Sequence, residues 1–302
     1  MTGAELAEIF REEVPHPTHV QGDSWGLDAT TEDILRLIDA PPDSLKADDF
    51  SGYLGYCTTG GDEDLRFLFS PILRIWESAL YERDSCFTQY FHHEVCRTDF
   101  VERALVPRLR QATCDFVVRA LSSRLGAETS LSIYGVSTSH DWFEYVASFG
   151  VFTTAIPALW DGLWHSAESG HATAMLQYLS CLLYEGSNPI FAPWRCDKGG
   201  GPPALWGYDS VGFGESWKQE NLSFLSSALH SEGIRDWLER TSKVHSGEQA
   251  AEVAKHFLME LDGCANAVDE RIKLLLIALQ SPSDVGIVTW ESLRNAATNA
   301  KC

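Results

Sequence analysis

The stretch Trp160-Asp161-Gly162-Leu163-Trp164-His165-Ser166-Ala167-Glu168-Ser169-Gly170-His171 concentrates residue types that bind metals and move protons. Carried on one helix, Asp161, His165 and Glu168 would stand at i, i+4 and i+7, on a single face. Glu168-x-x-His171 also has the spacing with which helix bundles hold a carboxylate-bridged metal pair. Such a centre needs a second motif from another helix. The candidates are His92, His93 and Glu94, or Glu252 with His256, the last two spaced i+4 rather than i+3. Gly170 is expected to break the helix before His171, which turns the four residues into a solvated polar face at a helix end. The expected state is therefore no metal and no cofactor. An all-α metal-dependent enzyme built on Asp161, His165, Glu168 and His171 stands as the alternative.

Other chemistries find less. The chain has no GxSxG, and Gly135-Val136-Ser137-Thr138-Ser139-His140 only sets a serine near a histidine. The glycines 199–201 run into Pro202-Pro203, not into Lys-Ser and a helix start, so they form no phosphate cradle. Gly212-Phe213-Gly214 follows no strand and is no dinucleotide fingerprint. The eight cysteines (57, 86, 96, 114, 181, 196, 264 and 302) include no CxxC pair, and they read as reduced, mostly buried thiols. Cys96 or Cys196 as a nucleophile would need a spatially close histidine. No catalytic residue is assigned.

Charge says more than any motif. The chain of 302 residues carries 43 acids against 23 bases, a net of −20, with a pI near 4.8. That balance argues against binding nucleic acid or anionic lipid, both of which need a basic surface. Residues 1–64 hold fifteen acids against Arg11, Arg36 and Lys46, a net of −12, and the remaining 238 residues a net of −8. A crowded acidic face either keeps a surface solvated or complements a basic partner. Asp48, Asp49, Asp62, Glu63 and Asp64 are the candidate contacts, with Trp25 as an aromatic anchor, although Asp62 to Asp64 can also cap a helix.

The elements that must position these residues read as helices. Apolar spacing predicts them over 4–13, 30–40, 43–56, 62–76 (kinked or divided at Pro71), 86–96 and 98–125, the last stopped by Gly126. Further helices are predicted over 140–148, 152–167, 171–184, 215–229, 234–240, 247–261, 266–279 and 289–297. Leu131 to Gly135 could be a lone short strand. The fold class is all-α: an irregular multi-helix bundle or stacked helical hairpins, one domain over 1–302. Its one internal break is the Gly/Pro/Trp loop 186–214, whose Trp194 and Arg195 either cap the core or anchor a partner. Residues 1–10 read as an acidic amphipathic helix rather than a signal peptide, and no stretch reaches the length of a membrane span. A cytoplasmic protein is expected.

Residues 61–77, Gly61-Asp62-Glu63-Asp64-Leu65-Arg66-Phe67-Leu68-Phe69-Ser70-Pro71-Ile72-Leu73-Arg74-Ile75-Trp76-Glu77, resemble a pattern of acidic helical bacterial proteins. The run Asn188-Pro189-Ile190-Phe191-Ala192-Pro193-Trp194, followed by the glycines and prolines to 203, is similar in kind. Some such proteins act as immunity partners of toxins. The resemblance implies a bacterial immunity protein and carries over no catalytic group. The leading expectation is thus an acidic binding protein that occludes the active site of a basic toxin or nuclease-like enzyme. A helical scaffold or regulator is a further alternative.

Overall fold

The computed structural model describes residues 1–20, 29–56, 62–82, 86–96, 98–128, 131, 139–185, 188, 216–280 and 289–299. Its described elements are helices, as expected, with no strand among them. The expected strand at 131–135 and the loop 186–214 fall almost wholly outside the described residues. The chain groups into two compact units: Met1–Leu121 with Val151–Ala155, and Ser122–Gly150 with Ile156–Cys302.

In the first unit, α1 (Gly3–Glu13) and α2 (Thr31–Asp39) begin with capping boxes. The hydroxyls of Thr2 and Thr30 accept from the N–H groups of Glu5 and Asp33, both at 3.2 Å, and the two carboxylates accept from the threonine N–H groups in return. The expected helix over 43–56 is instead two 3₁₀ turns, Pro42–Ser44 and Ala47–Phe50, and a short α3 (Ser51–Tyr56). Next comes α4 (Asp62–Ala79), which runs through Pro71 undivided. Leu65, Leu68, Phe69, Ile72, Leu73 and Trp76 stand at helical spacing along it and are buried, which repays the hydrogen bond that Pro71 cannot make.

After α5 (Cys86–Tyr90) the chain continues through a π-helical turn, Phe91–Val95. The predicted helix over 98–125 is in fact two, α6 (Phe100–Ala104) and α7 (Pro107–Gly126). Pro107 explains the break, because it disfavours helical backbone at Val106 and is itself at home at a first helical position. The core of this unit is aromatic. Phe69 packs against Phe10, Phe100 and Phe152 with ring centroids at 6.0, 5.1 and 6.1 Å, and Phe91 meets Trp76 at 5.8 Å.

The second unit contains α8 (Ser139–Phe152) up to Gly150, α9 (Ile156–His165), α10 (Ser169–Leu183), α11 (Gln219–Ala228), α12 (Ser231–Val244), α13 (Gln249–Gln280) and α14 (Trp290–Asn299). Every residue from Gly170 to Leu183 is buried. Its sequence anticipates this in part, since it carries no charged residue between Gly170 and Leu183. The α13 helix packs on α10 and α12, and it unites the two helices expected over 247–261 and 266–279. Trp217 lies flat over Gly150, where a Cβ would come within 2.1 Å of the indole. The Gly150 carbonyl accepts from Lys218 N–H and from Asn221 Nδ2, both at 2.9 Å.

Candidate functional site

The dense acids of the first 64 residues are largely tied to the chain itself. Asp62 pairs with Arg103, Asp43 with Arg74, and Glu12 and Glu13 with Arg108 at 2.8 and 2.7 Å. Glu5 and Asp33 close the capping boxes, and those hydrogen bonds hold both carboxyls below their ordinary range. Asp49 accepts from Lys46 N–H at 2.9 Å. Asp64 is 4% exposed, accepts from the Tyr53 hydroxyl at 3.2 Å, and is pushed above the usual carboxylate range by burial. Of the proposed contacts, Asp48, Asp49 and Glu63 are exposed, Asp62 is partly covered and Asp64 is inside. Trp25, Trp194 and Arg195 lie outside the described residues.

The alternative metal cluster is not assembled. Asp161 and His165 form an exposed pair at 3.4 Å on α9. The helix breaks at residues 166–168, ahead of the position expected from Gly170, so Glu168 is the N-cap of α10 and Gly170 and His171 lie inside that helix. His171 is buried with both ring nitrogens engaged. Nε2 donates to the Ser122 carbonyl at 2.7 Å, and Nδ1 lies 2.7 Å from the Ser166 hydroxyl and 3.6 Å from Glu168 Oε2. Among the described residues no group of three or more His, Cys, Asp or Glu side chains could hold a metal ion. The Ser122 hydroxyl is 3.3 Å from Nε2, but a nitrogen that donates to a carbonyl has no lone pair for activating a serine.

A concavity lies elsewhere, in the first unit. A groove of about 420 Å³ runs between α1, α2 and the Pro71 side of α4. Its walls are mainly apolar, from Ala7, Phe10, Leu37, Ile38, Phe67 and Pro71. Antiparallel packing of α1 on α4 gives it two ends, since Gly3 lies against Arg74, Phe10 against Phe69 and His16 against Phe67. At the first end Arg74 is held by Asp43 and by the Pro42 carbonyl at 3.0 Å. Further along α1, Arg11 lines the groove with no ion pair or hydrogen bond among the described residues. Ser70 also lines it, 3% exposed, and its hydroxyl has no hydrogen-bond partner among the described residues. Nothing in the sequence reading identified this groove. The available signal was the Ser70-Pro71 step in an apolar helix, with the small Ala4 and Ala7 facing it from α1.

Comparison with protein-family models, curated proteins and solved structures returns no match.

Proposed function

We propose that the chain is a non-catalytic binding protein of the immunity type, which occludes a basic toxin or nuclease-like enzyme in the bacterial cytoplasm. What supports this reading is where the positive charge goes. Nine of the thirteen described arginines lie within ion-pair distance of a carboxylate of the same chain. With a net charge of −20 and most of its described arginines paired to its own carboxylates, the chain offers a partner a mostly negative field. Glu8, Glu32, Asp39, Asp48 and Glu63 are exposed and have no ion pair among the described residues. Those acids would meet the basic cleft of a phosphate-handling enzyme, with Trp25, Trp194 and Arg195 as further anchors. No membrane or nucleic acid enters this reading.

The test replaces Glu32, Asp39, Asp48 and Glu63 together by lysine. A basic protein captured by the wild-type chain from a native extract is then assayed for association rate and for inhibition at several salt concentrations. The wild-type rate should fall with salt, and the variant should associate at least ~10-fold more slowly at unchanged thermal stability. Equal rates for the two chains, or a partner whose activity is not inhibited, would overturn the proposal.

A further inference from the structure

We propose that the groove of the first unit is a binding site for a small amphiphilic carboxylate, an acyl acid of medium length. In this arrangement the carboxylate pairs with Arg11 and the apolar body lies over Ala7, Phe10 and Pro71.

Three observations carry the assignment. The groove holds about 420 Å³, within the range of small-molecule sites, behind walls that are mostly apolar. Arg11 brings to it a guanidinium with no ion pair or hydrogen bond among the described residues, whereas Arg74 at the other end is already neutralised by Asp43. A charged group beside an apolar groove selects a ligand with the opposite charge and an apolar remainder. The third observation is Ser70, buried and lining the same groove with a hydroxyl unpaired among the described residues. Beside it Pro71 has no N–H to offer the Phe67 carbonyl, so polar groups in this wall lack their usual helical partners. Unmet polar groups cost stability unless something supplies their hydrogen bonds, and a ligand group part-way along the groove can do so.

The overall negative charge does not forbid an anion. Screening at physiological salt confines a charge to about 8 Å, so the cation beside the ligand decides the local balance. A cationic ligand would instead meet Arg11 at close range. This inference is independent of the inhibitor reading, because the carboxylate site needs no protein partner.

Isothermal titration of the full chain with decanoate, 1-decanol and decyltrimethylammonium, each below its micelle-forming concentration, tests it. Decanoate should bind one per chain, ~10-fold tighter than decanol, and the ammonium should bind weakest. Arg11→Gln should abolish the preference for decanoate over decanol without changing thermal stability. Ala7→Phe should fill the groove and remove both ligands. Ser70→Ala should weaken both ligands by ~3-fold and leave the free protein as stable or more so, because it removes an unpaired buried hydroxyl. The proposal falls if wild-type chain gives no saturable decanoate binding, if decanol binds as tightly, or if Arg11→Gln keeps the preference. It also falls if decanoate fails while a lysine/leucine amphipathic peptide binds and Ala7→Phe blocks it, which would make the groove an anchor for a protein.

Discussion

Gly170 lies with its α-carbon against the carbonyl group of Gly126: a Cβ built on Gly170 would stand 1.9 Å from that oxygen. The end of α7 and the start of α10 come into backbone contact there. Gly170→Ala is expected to cost about 2–3 kcal/mol, because backbone must move to relieve the clash. Gly126→Ala is a different case. Its Cβ would first meet a Glu168 carboxylate oxygen at 2.7 Å, on a side chain 69% exposed and free to swing away. That change should stay within about 1 kcal/mol of wild type. Urea unfolding of the two variants separates them, and equal losses would contradict the geometry.

Glu185 receives Nη1 and Nη2 of Arg294, the second at 2.8 Å, and this pairing holds its carboxyl below the ordinary value. A lowered folded-state pKa stabilises above the ordinary carboxylate range, and that stability is lost as pH falls through the lowered value. Glu185→Gln should therefore reduce the melting temperature at pH 7, and the difference from wild type should close in acid. The pair is partly exposed, so the loss should be no more than about 1 kcal/mol. Melting curves from neutral to acidic pH check both the sign and the window.

Asp64 should behave in the opposite sense. Burial raises its carboxyl, so its ionised form is penalised in the fold, and its contribution is full in acid and lost as pH rises through the raised value. Asp64→Asn keeps an oxygen for the Tyr53 hydroxyl while removing the charge. Its melting temperature should exceed wild type at pH 7, with the gain vanishing where Asp64 is already protonated.

His165 and His171 were paired in the sequence reading as possible ligands, and they should now part company. His171→Ala leaves the Ser122 carbonyl and the Ser166 hydroxyl without the ring between them, and should cost about 2 kcal/mol. His165 is exposed, and its replacement by alanine should stay within about 0.5 kcal/mol. Zinc or manganese added to wild type should leave the melting temperature unchanged, and a metal-dependent rise that His165→Ala removes would revive the enzyme alternative.

These outcomes separate what local sequence determines from what it does not. The α2 start at Thr30, with Asp33 three residues on, was legible because a cap is made by neighbours in the chain. The end of α7 at Gly126 falls on the glycine expected to stop it. The break before Pro107 was missed because apolar spacing continues across it while one proline removes the donor and crowds its neighbour. Residues 262–265 lie between the two helices expected over 247–261 and 266–279. In the fold Gly263 faces open space and the helix passes through, its other sides held by α10 and α12.

The charge pattern was legible only as a quantity. Nothing within residues 1–64 reveals that Arg74, Arg103 and Arg108 return to Asp43, Asp62, Glu12 and Glu13 across 31 to 96 residues of chain. Density along a sequence therefore overstated the free charge in space. The groove was missed for a related reason, as its walls come from three helices and the turn after α2, whose contact is tertiary.

Arg271, buried on α13, donates to the carbonyls of Leu182 and Leu183, the terminal residues of α10. Two greasy rods in contact could otherwise settle one turn out of step at little expense, since leucine meets leucine in either setting. Sliding by a turn would strand a guanidinium in oil and uncap a helix terminus at once. The side chain thus works as an indexing pin, allowing a featureless apolar seam to close in one alignment only.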